Sequence, residues 1–191
     1  MPDCSMRNRS SLLGRDRQSV LKAFDHGCTL LGDLGLKVYD PRDSHDKAVI
    51  GNVKNGFDFL GCNVRPGMIQ PSRKSRAGIR ERIQKIVDDG RHTLHAIAAG
   101  SRVPRDGLVQ VLFDVHNVSR GWGRSYSFCN GHDVMAALDR FTDRNIEGLL
   151  TLYDRYNKIA APVIRRRLLG VQLLQDIPVR SIVGPERATL A

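Results

Sequence analysis

Two stretches of the chain hold the residue types with the most chemical reach: Gly56-Phe57-Asp58-Phe59-Leu60-Gly61 and the basic run Pro71-Ser72-Arg73-Lys74-Ser75-Arg76. The first reads as an alternating apolar strand closing on a glycine turn, and the second as a cationic loop opening a helix. A shaped backbone feature beside phosphate-seeking cations does noncovalent chemistry: it grips a polyanion. Arg80, Arg82 and Lys85 extend the run to six cations within thirteen residues. Ser72 or Ser75 stands where a helix cap is needed, leaving backbone donors at a terminus suited to phosphate. A scattered cation on an exposed helix face usually only solubilises. Clustering at a loop-to-helix junction is what points to backbone contact.

Other candidate reactive groups do not assemble. Asp40, Asp43 and Asp46 are three residues apart, but Pro41 puts them in a turn without a common helical face, where solvation is their role. His45 beside Asp46 and His132 beside Asp133 each lack a third group and a nucleophile, so no triad is supported. Cys4, Cys28, Cys62 and Cys129 are scattered, with no C-x-x-C pair and no histidine at ligand spacing. That argues against a zinc site and fits free thiols in a reducing cytoplasm. No catalytic residue and no metal ligand is assigned.

Composition agrees with a polyanion partner. The 30 Lys and Arg stand against 20 Asp and Glu, a formal charge of +10 over 191 residues. The length allows one domain or one and a fraction, and 41% hydrophobic residues suffice for a core. No apolar run approaches the roughly 20 residues of a membrane helix, and Met1 to Ser10 lacks the apolar core of a secretory signal. The expectation is a cytoplasmic protein with no membrane partner.

The elements that must position these residues follow from periodicity. Val20, Phe24, Cys28 and Leu31 share one face of a helix over 16–34, with Gly35 as its C-terminal cap. Leu36 to Tyr39 and Ala48 to Ile50 read as short strands around an Asp-Pro-Arg-Asp turn. Phe57 and Phe59 place their rings on the core side of a strand edge or hairpin arm. Ile79, Ile83, Ile86 and Val87 stripe a basic helix. Leu108, Leu112, Val115 and Val118 stripe the next, which is expected to break at Arg120-Gly121-Trp122-Gly123. Trp122 and Tyr126, four apart, read as buried packing partners, with a base-stacking platform as the alternative. Val134, Leu138, Phe141, Ile146, Leu149, Leu152 and Tyr156 continue in helical register. Arg165-Arg166-Arg167 either contacts RNA or complements a helix dipole. The predicted class is α+β: a small mixed α/β piece over 1–61, a helical bundle over 62–170, and a weakly ordered tail over 171–191.

In order and spacing these segments resemble a family. Leu34-Gly35-Leu36 followed by Lys47, then Gly56 to Gly61, then Pro71 to Ser75, then Arg120-Gly121-Trp122 with Tyr126 and Phe128, then Leu138-Asp139 with Phe141, are similar to the C-terminal half of group II intron (retron-type, maturase-type) reverse transcriptases. The resemblance covers roughly residues 11 to 170. It implies that 1–61 is the end of the palm and that Gly56, Phe57, Asp58, Phe59, Leu60 and Gly61 form the primer grip. Residues 62–170 would be the thumb and maturase-like region holding template–primer duplex and intron RNA. Lys47, Arg73, Lys74, Arg76, Arg80, Arg82, Lys85, Arg120 and Arg165 to Arg167 would then meet nucleic acid.

One departure matters as much as the match. The family's chemistry needs paired aspartates holding two metal ions, magnesium in the full-length enzymes, and one pair comes from a Tyr-X-Asp-Asp turn entering an apolar strand. Here Ser11-Leu12-Leu13-Gly14 follows Arg7-Asn8-Arg9-Ser10, with no carboxylate, and Asp3 lies too far upstream. The chain therefore reads as a truncated RNA-directed DNA polymerase that keeps grip and thumb, retains no cofactor and is inactive alone, unless a separate chain carries fingers and palm. The alternatives are a stand-alone maturase-like RNA-binding protein assisting intron splicing, and a basic helical protein for an acidic partner. Without palm strands to pair with, residues 1–61 are expected to be marginally stable.

Overall fold

The computed structural model of the chain describes residues 11–43, 48, 50–101 and 107–177. The fold is α+β, with helices α1 (Arg17–Asp33), α2 (Arg73–Ala98), α3 (Leu108–Ser125), α4 (His132–Ile159) and α5 (Pro162–Leu169). Strands β1 (Phe57–Phe59), β2 (Cys62–Arg65) and β3 (Met68–Pro71) form an antiparallel meander in that order. Contacts divide the chain into two units. Unit 1 holds residues up to Leu60 together with Val64–Gly67, and unit 2 holds Gly61–Asn63 and the chain from Met68 onward.

Unit 1 is built around α1. Asp16 caps it by accepting from the Ser19 amide at 2.8 Å. Its far end is a Schellman motif, in which the Gly35 amide bonds Gly32 O at 2.9 Å and the Leu36 amide bonds Leu31 O at 2.9 Å. The apolar face that the spacing marks is only half covered: Val20, Leu21, Phe24, Cys28 and Leu31 are partly buried, and no residue of α1 is fully buried. Leu12, Leu13, Leu30, Leu34 and Leu36 are exposed. The fastening is polar instead. Arg42 reaches Asp25 on α1 and Asp40 in the following turn, each at 2.7 Å, which holds the Asp40 carboxyl below its usual range through the Arg42 hydrogen bonds. Exposed ion pairs of this kind contribute little to stability. We therefore expect trypsin to cleave at Arg17, Lys22, Lys37 or Arg42 well before any site within α2 or α4. Early loss of unit 2 with an intact α1 would contradict that order.

Unit 2 has the core. Ile79, Ile83, Val87, Leu94 and Ile97 of α2 are at most 5% exposed, and with Leu108, Val111 and Val115 of α3, Leu138 and Leu149 of α4 and Leu168 of α5 they form one apolar cluster. The central element is α2, which packs on α3, α4 and α5. It runs antiparallel to α3, with Ser75 beside Tyr126 and Gly90 against Val111. It runs parallel to α4, with Arg80 over Phe141 and His95 hydrogen-bonded to Tyr156. At one end the Gly107 backbone touches that of Gly170, so close that a Cβ on Gly107 would stand 2.0 Å from the Gly170 nitrogen.

Several expectations change. Leu36 to Tyr39 form no strand, and neither do residues 48 and 50, the described part of the second candidate. Short apolar runs become strands only with a partner to take their backbone bonds. Nor does α3 end at Gly121: it runs through Gly121-Trp122-Gly123 to Ser125. Two glycines cost about 2 kcal/mol of helix propensity together, which the Trp122 packing against the core offsets. Of the first seven residues of the expected tail, 171–177, Leu173 is buried and Asp176 pairs with Arg167 at 2.8 Å, while the other residues are exposed. The rest of the tail, 178–191, lies outside the described residues. No helix among the described residues is long and apolar enough to cross a membrane.

Candidate nucleic-acid interface

The meander explains the shape of the Gly56 to Gly61 segment. Phe57 and Phe59 turn partly inward while Asp58 is exposed, the alternation a strand demands. The turn after Phe59 places Leu60 at φ 47 and Gly61 at φ 80, the pattern of a type I′ hairpin. For a leucine that conformation costs about 1 kcal/mol, and its side chain is 64% exposed at the tip.

Gly61 is also the anchor for the start of α2. Its carbonyl accepts from the Ser72 amide at 2.8 Å and from the Ser75 hydroxyl at 3.0 Å. Because Ser75 spends its one proton there, the Tyr126 hydroxyl, 2.7 Å away, donates to it. A Cβ on Gly61 would stand 2.8 Å from the Tyr126 oxygen and 3.1 Å from Ser75 Oγ, at a φ that disfavours side chains. Gly61→Ala is expected to cost about 2 kcal/mol in unfolding free energy, read by urea titration of the full chain. A change below about 0.5 kcal/mol, the ordinary range for a surface position, would show that this network holds nothing.

Above this anchor, α2 opens with Ser72 as its cap, its side chain accepting from the Ser75 amide at 3.2 Å. The amides of Arg73 and Lys74 take no partner among the described residues, so two donors and the positive end of the helix dipole face outward. Arg73, Lys74, Arg80, Arg82 and Lys85 are exposed. Arg73, Lys74, Arg82 and Lys85 make no ion pair with any described residue, while Arg42, Arg91 and Arg167 are paired to aspartates. Arg80 lies over the Phe141 ring at 5.6 Å. Arg76 is half-buried, with an Nε–H that takes no partner among the described residues.

A groove of about 560 Å³ runs between the first half of α2 and the second half of α3. Ser75, Gly78, Arg82, Asn117, Gly121 and Trp122 line it. Gly78 and Gly121 leave open space where a side chain would project, so a ligand backbone can approach the helices closely beside the Arg82 guanidinium. Trp122 packs on Tyr126 with ring centroids 4.5 Å apart and a 40° tilt. The spacing of four therefore gives the packing pair that the sequence indicates, and Trp122 also forms part of the groove wall. Comparison with protein-family models, with curated proteins and with solved structures gave no match.

The remaining site expectations fall in different places. Lys47, with His45 and Asp46, lies outside the described residues. Arg120 is exposed on α3, in the half of the helix that borders the groove. The arginine triplet is on α5: Arg166 is exposed, Arg165 Nε donates to Ala160 O at 2.8 Å, and Arg167 is held by Asp176. Arg166 and Arg167 occupy the last turn, where cations complement the helix dipole. Among the described residues no group of three or more His, Cys, Asp or Glu side chains is gathered to hold a metal ion. Two contacts had no signal in the sequence: the Ser75–Tyr126–Gly61 network, which joins distant segments, and the meeting of Cys62 with Cys129. Burial and the neighbouring Cys62 push the Cys129 thiol up to about 11.

Proposed function

We propose that this chain binds the sugar–phosphate backbone of RNA or of a primer–template duplex, as the grip and thumb portion of a group II intron reverse transcriptase. One observation carries the reading: Arg73 and Lys74 in the dipole-positive first turn of α2, and Arg82 and Lys85 two to three turns further along it, are exposed without carboxylate partners among the described residues. An unneutralised cation cluster costs self-repulsion in the free protein, and a phosphate chain removes that cost while releasing its counterions. The open floor at Gly78 and Gly121 supports contact with a continuous backbone.

In this reading the residues bind and orient and do not perform transfer. Arg82, with the Asn117 side chain along the groove, sets the position of the strand. The two-metal chemistry of the family belongs to aspartates of the palm. The test uses the full chain with a fluorescent RNA hairpin and an RNA–DNA primer–template in low salt, followed by primer extension with nucleotides and magnesium. The reading predicts binding to both and no extension. No binding to either ligand, or extension by the purified chain, would overturn it.

A further inference from the structure

The groove between α2 and α3 has few polar groups left to give a ligand. Ser75 and Ser125 each spend their hydroxyl proton on a carbonyl, Gly61 O at 3.0 Å and Gly121 O at 3.2 Å. The Arg82 guanidinium and the Asn117 carboxamide, both exposed, make no side-chain bond with any described residue. The rest of the wall is apolar and includes the half-buried indole of Trp122. A cation, an amide that both donates and accepts, and an aromatic surface match the parts of a nucleotide: phosphate, base edge and base face. The volume of about 560 Å³ falls within the roughly 300–1,000 Å³ of sites that hold one small ligand. It is far too small for a turn of duplex.

We propose that the groove takes one unstacked nucleotide of a single strand of nucleic acid, with its phosphate on Arg82, its base against Trp122 and the base edge at Asn117. The inference deepens the binding reading and rests on it. Gly78 and Gly121 let the sugar–phosphate chain come close, since a Cβ at either would meet nothing within 4 Å. The cations outside the groove favour a strand over a free nucleotide. On α2 the groove spans Ser75 to Arg82, while Arg73 and Lys74 lie before it and Lys85 after it. Arg73 to Lys85 covers about 18 Å of helix axis, so a strand that leaves the groove meets further cations at both ends. A duplex rests on those cations but does not enter, because its bases are paired and stacked and one must first be pulled out.

Trp122 is the only tryptophan of the chain, so its emission reports on the groove directly. The full chain is titrated at low salt with an unstructured RNA strand of about ten nucleotides, with a blunt RNA–DNA duplex of the same length, and with adenosine monophosphate. The single strand is expected to quench Trp122, whereas the duplex binds, as read by the anisotropy of a labelled strand, without quenching. Gly78→Leu fills the groove from a helix position with open space, and leucine is the better helix former. It is expected to weaken single-strand binding on the order of ten-fold, the contribution of one stacked base, to abolish the quenching and to leave duplex binding unchanged. Four results would each overturn the inference while the binding reading stands: a bound single strand without quenching, equal quenching by the duplex, quenching by the mononucleotide at the same concentration, or equal loss of both ligands in Gly78→Leu. Binding of neither the strand nor the duplex would overturn both.

Discussion

Gly107→Ala is expected to lower the stability of the helical unit by about 3 kcal/mol or more, the upper end for overpacking at a closed contact. Its backbone angles, φ −73 and ψ −178, suit any residue, so conformational strain contributes nothing. Only the neighbour excludes the methyl: a Cβ there would meet the Gly170 nitrogen at 2.0 Å and its Cα at 2.2 Å. Those are backbone atoms that cannot rotate away, and relief requires α3 and α5 to separate. Gly170→Ala is the instructive comparison. That residue ends α5 at φ 87, and its own Cβ would meet Gly107 at 3.1 Å. The left-handed conformation costs about 1 kcal/mol and the contact asks for only a small shift. Thermal unfolding of the two variants should rank them, with Gly107→Ala melting lower by roughly 10 °C than wild type and Gly170→Ala in between. Equal melting of Gly107→Ala and wild type would mean that α3 and α5 do not meet this way.

The second large effect is on binding. Replacing Arg73, Lys74 and Arg82 together with glutamine is expected to weaken RNA binding on the order of 100-fold at low salt and to flatten the salt dependence by about three phosphate contacts. Folding should be unaffected within about 0.5 kcal/mol, because all three are exposed and form no ion pair with any described residue. The control removes the same charge elsewhere: Arg144, Arg155 and Lys158 of α4, also exposed. If binding follows only the net charge of +10, both triple variants weaken alike. If the start of α2 is the interface, the α4 variant loses far less.

The helices were the legible part of this chain, and the reason is local. The α1 stripe, its Asp16 cap and its Gly35 terminus lie within twenty residues of one another, as do Ser72 and the Ile79–Ile83–Val87 stripe. The meander was half legible. Phe57 and Phe59 carried the alternation, but Cys62–Arg65 and Met68–Pro71 are four-residue strands with weak patterning. Gly121 and Gly123 misled, because helix propensity is a weak term that tertiary packing overrides. The cation cluster was visible as composition, yet which cations stay unpaired depends on partners such as Asp88 for Arg91 and Asp176 for Arg167. The Gly107–Gly170 contact and the Cys62–Cys129 pair join distant segments, so no window of sequence holds them.

The first half of α2 is the proposed phosphate-binding surface, and the salt dependence of binding tests it most directly. Titrating an RNA–DNA duplex into the full chain across a range of potassium chloride, Arg73, Lys74, Arg82, Lys85 and Arg120 are expected to give a log–log slope of about −4 to −5. A slope near zero, or no binding at the lowest salt, would contradict it.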